Sequence, residues 1–309
     1  MFTRVTTPGN YSAVLTNLLA AQQRQMEAGN RVATQRNGSN LKEYAPDAEL
    51  LAAMRTVQTR LGAFQEQSKL LTDKLATQDT ALVRVADAAQ SIRQAFTDAL
   101  ASGRVDTLVE DVEAQLRNAV EAMNARYGGK YLFAGGQVDT RPVELTSLSG
   151  LNPPAVVADF FRNDQFRVKA KVDEATTITT GFLSNEIGTD MLNALQAFQT
   201  FNTGPDGPFE GAMTDAQKAF LEGQLAAWDS VRSDVTLKAA QNGTNQKRLE
   251  TVGEDLVSRQ NALAGMIGNI TDADMAQAAA DLQTAQLSVQ SAAYVFQALR
   301  ESSLLNILK

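Results

Sequence analysis

Residues 275–309 read MAQAAADLQTAQLSVQSAAYVFQALRESSLLNILK. Within this stretch Met275, Ala278, Leu282, Ala285, Val289, Ala292, Phe296 and Leu299 follow one another at alternating steps of three and four. Leu304, Leu305, Ile307 and Leu308 then crowd its end. The spacing lays one apolar stripe along one side of a helix, the seam pattern of a coiled coil. Chains ordinarily end in polar, frayed tails. A stripe this apolar therefore predicts a covering surface, either the chain's own N-terminal segment or another subunit.

The same alternation recurs upstream. Pro46, Asp47 and Glu49 mark a helix start, since proline suits the first turn and acids favour the positive end of the helix dipole. From there Met54, Val57, Leu61, Phe64, Ser68, Leu71, Leu75, Gln78, Leu82, Val85, Ala89, Ile92, Phe96 and Ala99 keep the three-four rhythm, with only Ser68 and Gln78 polar. A rod of roughly 70 Å follows at ~1.5 Å per residue. Gly103 interrupts it, and Val109, Val112, Leu116, Ala119 and Met123 continue a shorter helix to Gly128-Gly129. Between Tyr131 and about Gly188 helical periodicity is lost. Gln165–Val172 alternates, Thr176–Thr180 is β-branched, and a small β-rich insert is expected. Asp190–Phe201 is a short helix, closed by the turn Gly204-Pro205-Asp206-Gly207-Pro208.

From about Thr214 the seam resumes through Leu221, Trp228, Val231 and Val235. It passes a polar patch at Lys238, Asn242 and Asn245, then recovers through Leu249, Val252, Leu256, Leu263, Met266 and Ile270. That patch is either a functional polar site, a device that sets register, or a place where the helix meets solvent. At the other end Pro8-Gly9-Asn10 breaks the chain, and a helix is predicted from about Tyr11 to Arg36, ended by Asn37-Gly38-Ser39-Asn40. Its apolar members are Val14, Leu15, Leu18, Leu19 and Val32. It is too polar to fold alone.

The 309 residues carry a net charge of -7 and no histidine or cysteine. Disulfides, thiolate nucleophiles, the commonest metal ligand and the usual acid-base group are thereby excluded, and catalysis is not expected. Basic residues are dispersed among acids, so no stripe suited to nucleic acid forms. No apolar run reaches the ~18 residues a bilayer span needs, and the start shows no cleavable secretory pattern. Tyr127-Gly128-Gly129-Lys130-Tyr131 lacks the upstream glycine and the Ser or Thr of a phosphate loop and reads as a cap and turn. Asp272 and Asp274, beside a helix start, read as caps rather than metal ligands. No cofactor and no metal are expected.

Tyr131-Leu132-Phe133-Ala134-Gly135-Gly136-Gln137-Val138-Asp139-Thr140-Arg141-Pro142 resembles the stretch after the main helices in flagellar hook-filament junction proteins of the FlgL type, relatives of flagellin. Asn30-Arg31-Val32, leading through Asn37-Gly38 to Ala45-Pro46-Asp47, resembles that family's turn between its first two helices, with Glu43-Tyr44-Ala45-Pro46 in place of its usual Ser-Asp-Asp-Pro. Asp272-Ala273-Asp274-Met275 and the Ala- and Gln-rich helix after it resemble the flagellin C-terminus. The resemblance implies terminal helices that order as a coiled coil in the axial core of an assembly, a helical domain outside them and a variable domain outermost.

The expected fold is mainly α: a long antiparallel bundle or coiled coil built by the N- and C-terminal halves, with the β-rich insert between them. The expected divisions are 1–45 and 270–309 as axial segments, 46–136 and 189–269 as bundle halves, and 137–188 as the insert. The resemblance implies a hook-to-filament adaptor in the flagellum, outside the cell, exported without a cleaved signal. Its implied partners are further copies in a ring or helical array, flagellin, another hook-associated protein and an export chaperone, with no nucleic acid and no membrane insertion. The assembly residues expected are Val14, Leu15, Leu18, Leu19, Leu282, Val289, Phe296, Leu299, Leu304, Leu305 and Leu308. A minor or bulk flagellin, and an unrelated secreted coiled-coil protein, are the alternatives.

Overall fold

The computed structural model describes the backbone of residues 7–307 and the side chains of residues 12–299. Its described residues form helices α1 (Thr7–Thr34), α2 (Ala48–Ser102) and α3 (Leu108–Met123), strands β1 (Arg126–Tyr127), β2 (Lys130–Tyr131), β3 (Lys169–Lys171) and β4 (Thr177–Thr179), and helices α4 (Ser184–Asn202), α5 (Asp215–Thr271) and α6 (Met275–Ile307). The fold is mainly α, with two small antiparallel two-stranded sheets. The chain divides into two compact units, Gly62–Val257 and the pair of segments Met1–Leu61 and Ser258–Lys309.

In the unit Gly62–Val257, α2 and α5 run antiparallel, as shown by the pairing of Arg93 with Asp229 at 2.6 Å and of Asn242 with the Leu75 carbonyl at 2.8 Å. From Leu71 on, the seam read from the sequence is the buried face of α2: Leu71, Leu75, Gln78, Leu82, Val85, Ala89, Ile92, Phe96 and Ala99 are all buried, whereas Val57 of the same predicted seam is exposed. The start of α5 is fixed by a reciprocal cap. The Gln217 N–H donates to Thr214 Oγ1 at 3.2 Å, and the Thr214 N–H donates to Gln217 Oε1 at 3.0 Å. At the centre, aromatic rings tie the helices together. Phe96 of α2 stacks on Phe198 of α4 with centroids 5.5 Å apart, and Trp228 of α5 meets Phe96 edge-on at 6.1 Å.

The segment expected as an insert is built into this core. Val143, Leu145, Leu148, Leu151, Val157, Phe182 and Ile187 bury in one cluster with α2, α3, α4 and α5. Most of it is irregular loop, with short 3-10 turns at Leu148–Leu151 and Val157–Phe160 and strand only in β3 and β4. The alternating run predicted for Gln165–Val172 shortens to β3, which pairs with β4 in the register Lys169 to Thr179. Val172 and Ile178 from this hairpin pack on Leu71, Leu75 and Leu249, whereas Phe166 stays exposed. The Gly128-Gly129 turn joins β1 to β2; both glycines have positive φ, 57° and 81°, as a two-residue hairpin turn requires.

The polar patch on α5 has a defined role here. Asn242 and Gln246 both donate to the Leu75 carbonyl of α2, at 2.8 and 3.0 Å, and Asn245 donates to the Thr179 carbonyl at 3.0 Å. Gln78 of α2 reaches the Thr180 carbonyl at 3.2 Å. The patch therefore fixes α5 against α2 and anchors the β3–β4 hairpin, the register-setting reading of the sequence.

Candidate assembly surface

In the second unit α1 and α6 pack antiparallel. The direction is fixed where the chain crosses over: the Ala273 N–H donates to the Gln35 carbonyl at 3.0 Å and the Asn37 N–H to the Thr271 carbonyl at 2.8 Å. One helical turn further on Arg31 pairs with Asp281 at 3.4 Å. The predicted break at Pro8 does not occur. α1 already runs from Thr7, because a proline in the first turn has no helical carbonyl to serve and its fixed φ suits the helix. Asp274 caps α6, its Oδ1 accepting the N–H groups of Ala276 and Gln277 at 2.9 and 3.2 Å.

The covering surface predicted for the α6 stripe is this chain's own α1. Ala278 and Ala285 are buried, with Leu282, Val289, Ala292, Phe296 and Leu299 half-buried beside them. Across from them α1 presents Ala21 and Ala28, buried, with Val14, Leu18 and Val32 half-buried. Small residues at the closest points let the backbones approach. The expected assembly residues thus divide. Val14, Leu18, Leu282, Val289, Phe296 and Leu299 lie along the seam within the chain, whereas Leu15 and Leu19 turn outward. The side chains of Leu304 and Leu305, and Leu308 altogether, lie outside the described residues.

Each helix carries a second apolar stripe that a search for one seam passes over. At ~100° per residue, a step of two positions from a seam residue reaches nearly the opposite side of the helix. Ala276, Ala280, Leu287, Tyr294 and Ala298 lie there on α6; on α1 Leu19 and Met26 stand two positions before Ala21 and Ala28, and Leu15 flanks them. Leu287 is 58% exposed, Tyr294 74%, Leu19 58% and Met26 63%, and Val295 flanks the α6 stripe at 51%. Leu282–Leu299 contains no charged side chain. A helix apolar on two faces is normally buried on both. Here one face is covered.

A compact joint sits where the two crossovers meet. Tyr44, buried, accepts the Gly38 N–H at 2.8 Å through its hydroxyl and donates to the Gly38 carbonyl at 2.9 Å, with the Thr271 carbonyl 3.3 Å away. Asn37 donates through Nδ2 to the Asp272 carbonyl at 2.9 Å. The Glu43 carboxylate accepts the Ser39 N–H at 2.8 Å and the Ser39 hydroxyl at 3.0 Å, closing the loop on itself. The link from α1 to α2 is thereby stitched to the link from α5 to α6.

Among the described residues no group of three or more acidic side chains is placed to hold a metal ion. The Asp164 carboxyl is held below the usual carboxylate range by the Gly136 and Phe166 N–H groups that donate to it, a loop closure rather than chemistry. Among the described residues no helix is long and apolar enough to cross a membrane.

Residues 225–308 match the family described as the bacterial flagellin C-terminal helical region. In structure the chain is similar to a Vibrio parahaemolyticus protein described as a flagellar hook-associated protein, with a TM-score of 0.60 and 17% identity over 72% of this chain and 96% of that one. It is also similar to FlgL of Bacillus cereus, with a TM-score of 0.53 and 13% identity over 71% of this chain and 99% of that one. No curated protein sequence matches it. At these identities the likeness establishes a shared fold.

Proposed function

We propose that the chain is a structural subunit of the bacterial flagellum, of the FlgL type, that joins hook to filament by packing its terminal helices against neighbouring subunits. The observation that carries the reading is the second apolar stripe: α1 and α6 satisfy each other on one side and leave Leu15, Leu19, Met26, Leu287, Tyr294 and Val295 outward. Both the fold shared with hook-associated proteins and the flagellin-like region at 225–308 support it. The role is packing, without catalysis or cofactor. Its partners are further copies of the chain, flagellin and another hook-associated protein, with an export chaperone before assembly, and its place is outside the cell, reached without signal cleavage.

Deletion of the gene, followed by complementation, tests the reading. The expected result is flagellin shed unassembled into the medium from cells whose hooks lack filaments. Filaments of normal length in the deletion strain would overturn it. The flagellin-like C-terminal region also favours a second reading, a minor flagellin, and abundance in sheared filaments separates the two: a junction piece is scarce and sits at the filament base, whereas a flagellin is distributed along it.

A further inference from the structure

The sequence contains Asn37-Gly38 and Asn242-Gly243, two pairs of the kind in which a side-chain amide is most open to attack by the next backbone nitrogen, because glycine has no side chain to hinder it. Their settings differ. Asn242 is buried inside α5, where the helix holds the following N–H. Asn37 is exposed and lies outside any helix, and the Gly38 N–H is held by the side-chain hydroxyl of Tyr44 instead of a backbone ladder. Position 38 admits little but glycine, since an added Cβ would come within 2.7 Å of the Glu43 Cβ. The joint's packing therefore keeps the reactive pair in place.

We propose that Asn37 is a deamidation site, held back by Tyr44 while the joint is closed and reacting with water when it opens. The Gly38 nitrogen loses its proton to hydroxide and forms a bond to Asn37 Cγ. The Cγ–Nδ2 bond breaks, and ammonia leaves. Water then opens the resulting succinimide ring at one carbonyl or the other, giving aspartate at 37 or its β-linked isomer. The net change is amide plus water to carboxylate plus ammonium, with no oxidation or reduction. Either product removes the donor that now meets the Asp272 carbonyl at 2.9 Å and sets a negative charge against that carbonyl oxygen. The isomer also lengthens the main chain by one atom between α1 and α2. Chains that spend time with the joint open are marked irreversibly at the link that stitches the two crossovers together.

The full chain is incubated at mildly alkaline pH, folded and in urea, and the tryptic peptides carrying residues 37 and 242 are followed by mass spectrometry. In urea both sites convert at similar rates. In the folded protein both are slow, and Tyr44→Phe, which removes a hydrogen bond to the attacking nitrogen, speeds conversion at 37 roughly fivefold while 242 stays unchanged. Circular dichroism verifies that the variant is folded; should it not be, Glu43→Gln, which loosens the same loop, replaces it with the same expectation. Conversion of Asn37 in the folded wild type at its rate in urea overturns the proposal, as does an unchanged rate in a folded variant.

Discussion

Asp164 holds the loop that carries Gly135 and Gly136, accepting the Gly136 and Phe166 N–H groups at 2.9 Å each. Its carboxyl is depressed in the folded state, so its contribution is complete above the range in which an unfolded aspartate titrates and is lost as pH falls through the folded value. The melting temperatures of wild type and Asp164→Asn are expected to differ at neutral pH and to converge in acid; a gap independent of pH would mean the charge plays no part. Gly135, at φ 69°, carries the conformation that lets the loop close, and a Cβ there would overlap the Asp164 carboxylate. Gly135→Ala should therefore cost about 1 to 2 kcal/mol or more in a denaturant titration. The glycines were conspicuous in the sequence, but their partner stood 28 positions away, with no periodicity to point to it.

Among the elements, α2 and α5 were legible from their seams because a three-four spacing has one good solution, a helix with one buried face. Gln78 was visible as a polar break in the α2 seam, and its use was not. It holds the Thr180 carbonyl, so Gln78→Leu should leave that buried acceptor unpaired and cost about 1 to 3 kcal/mol by thermal or chemical denaturation. Asn242→Leu should be close to neutral, because Gln246 still reaches the Leu75 carbonyl and the Asn242 Oδ1 has no protein partner to lose. A large loss at 242 would show that the polar patch is worth more than its hydrogen bonds. The segment 137–188 misled in a different way. Its 3-10 turns have no regular period, so Leu145, Leu148 and Leu151 looked like parts of an outlying insert although they bury in the same core cluster as Phe198 and Trp228. Replacing 138–187 with a short linker is accordingly expected to abolish the cooperative melt rather than spare it.

For the whole molecule, the sequence reading took in Leu15 and Leu19 of the outward face of α1 but passed over Leu287 and Tyr294 on α6, which lie off the seam it followed. Tyr294→Asp replaces an outward side chain and should shift the monomer's stability by no more than about 0.5 kcal/mol while abolishing incorporation into the flagellum. Phe296→Asp, on the covered seam, should weaken the α1–α6 pairing itself and raise amide exchange along both helices. Equal effects of the two changes on the monomer would show that the stripes are not distinct. The uncharged run Leu282–Leu299 has a consequence for the environments in which assembly holds. Contacts made by uncharged side chains are not screened by ions, and this sequence has no histidine to change charge near neutrality. Association through this face should persist from fresh water to brine and across mildly acid to mildly alkaline media, and sulfate, which strengthens apolar burial, should tighten it.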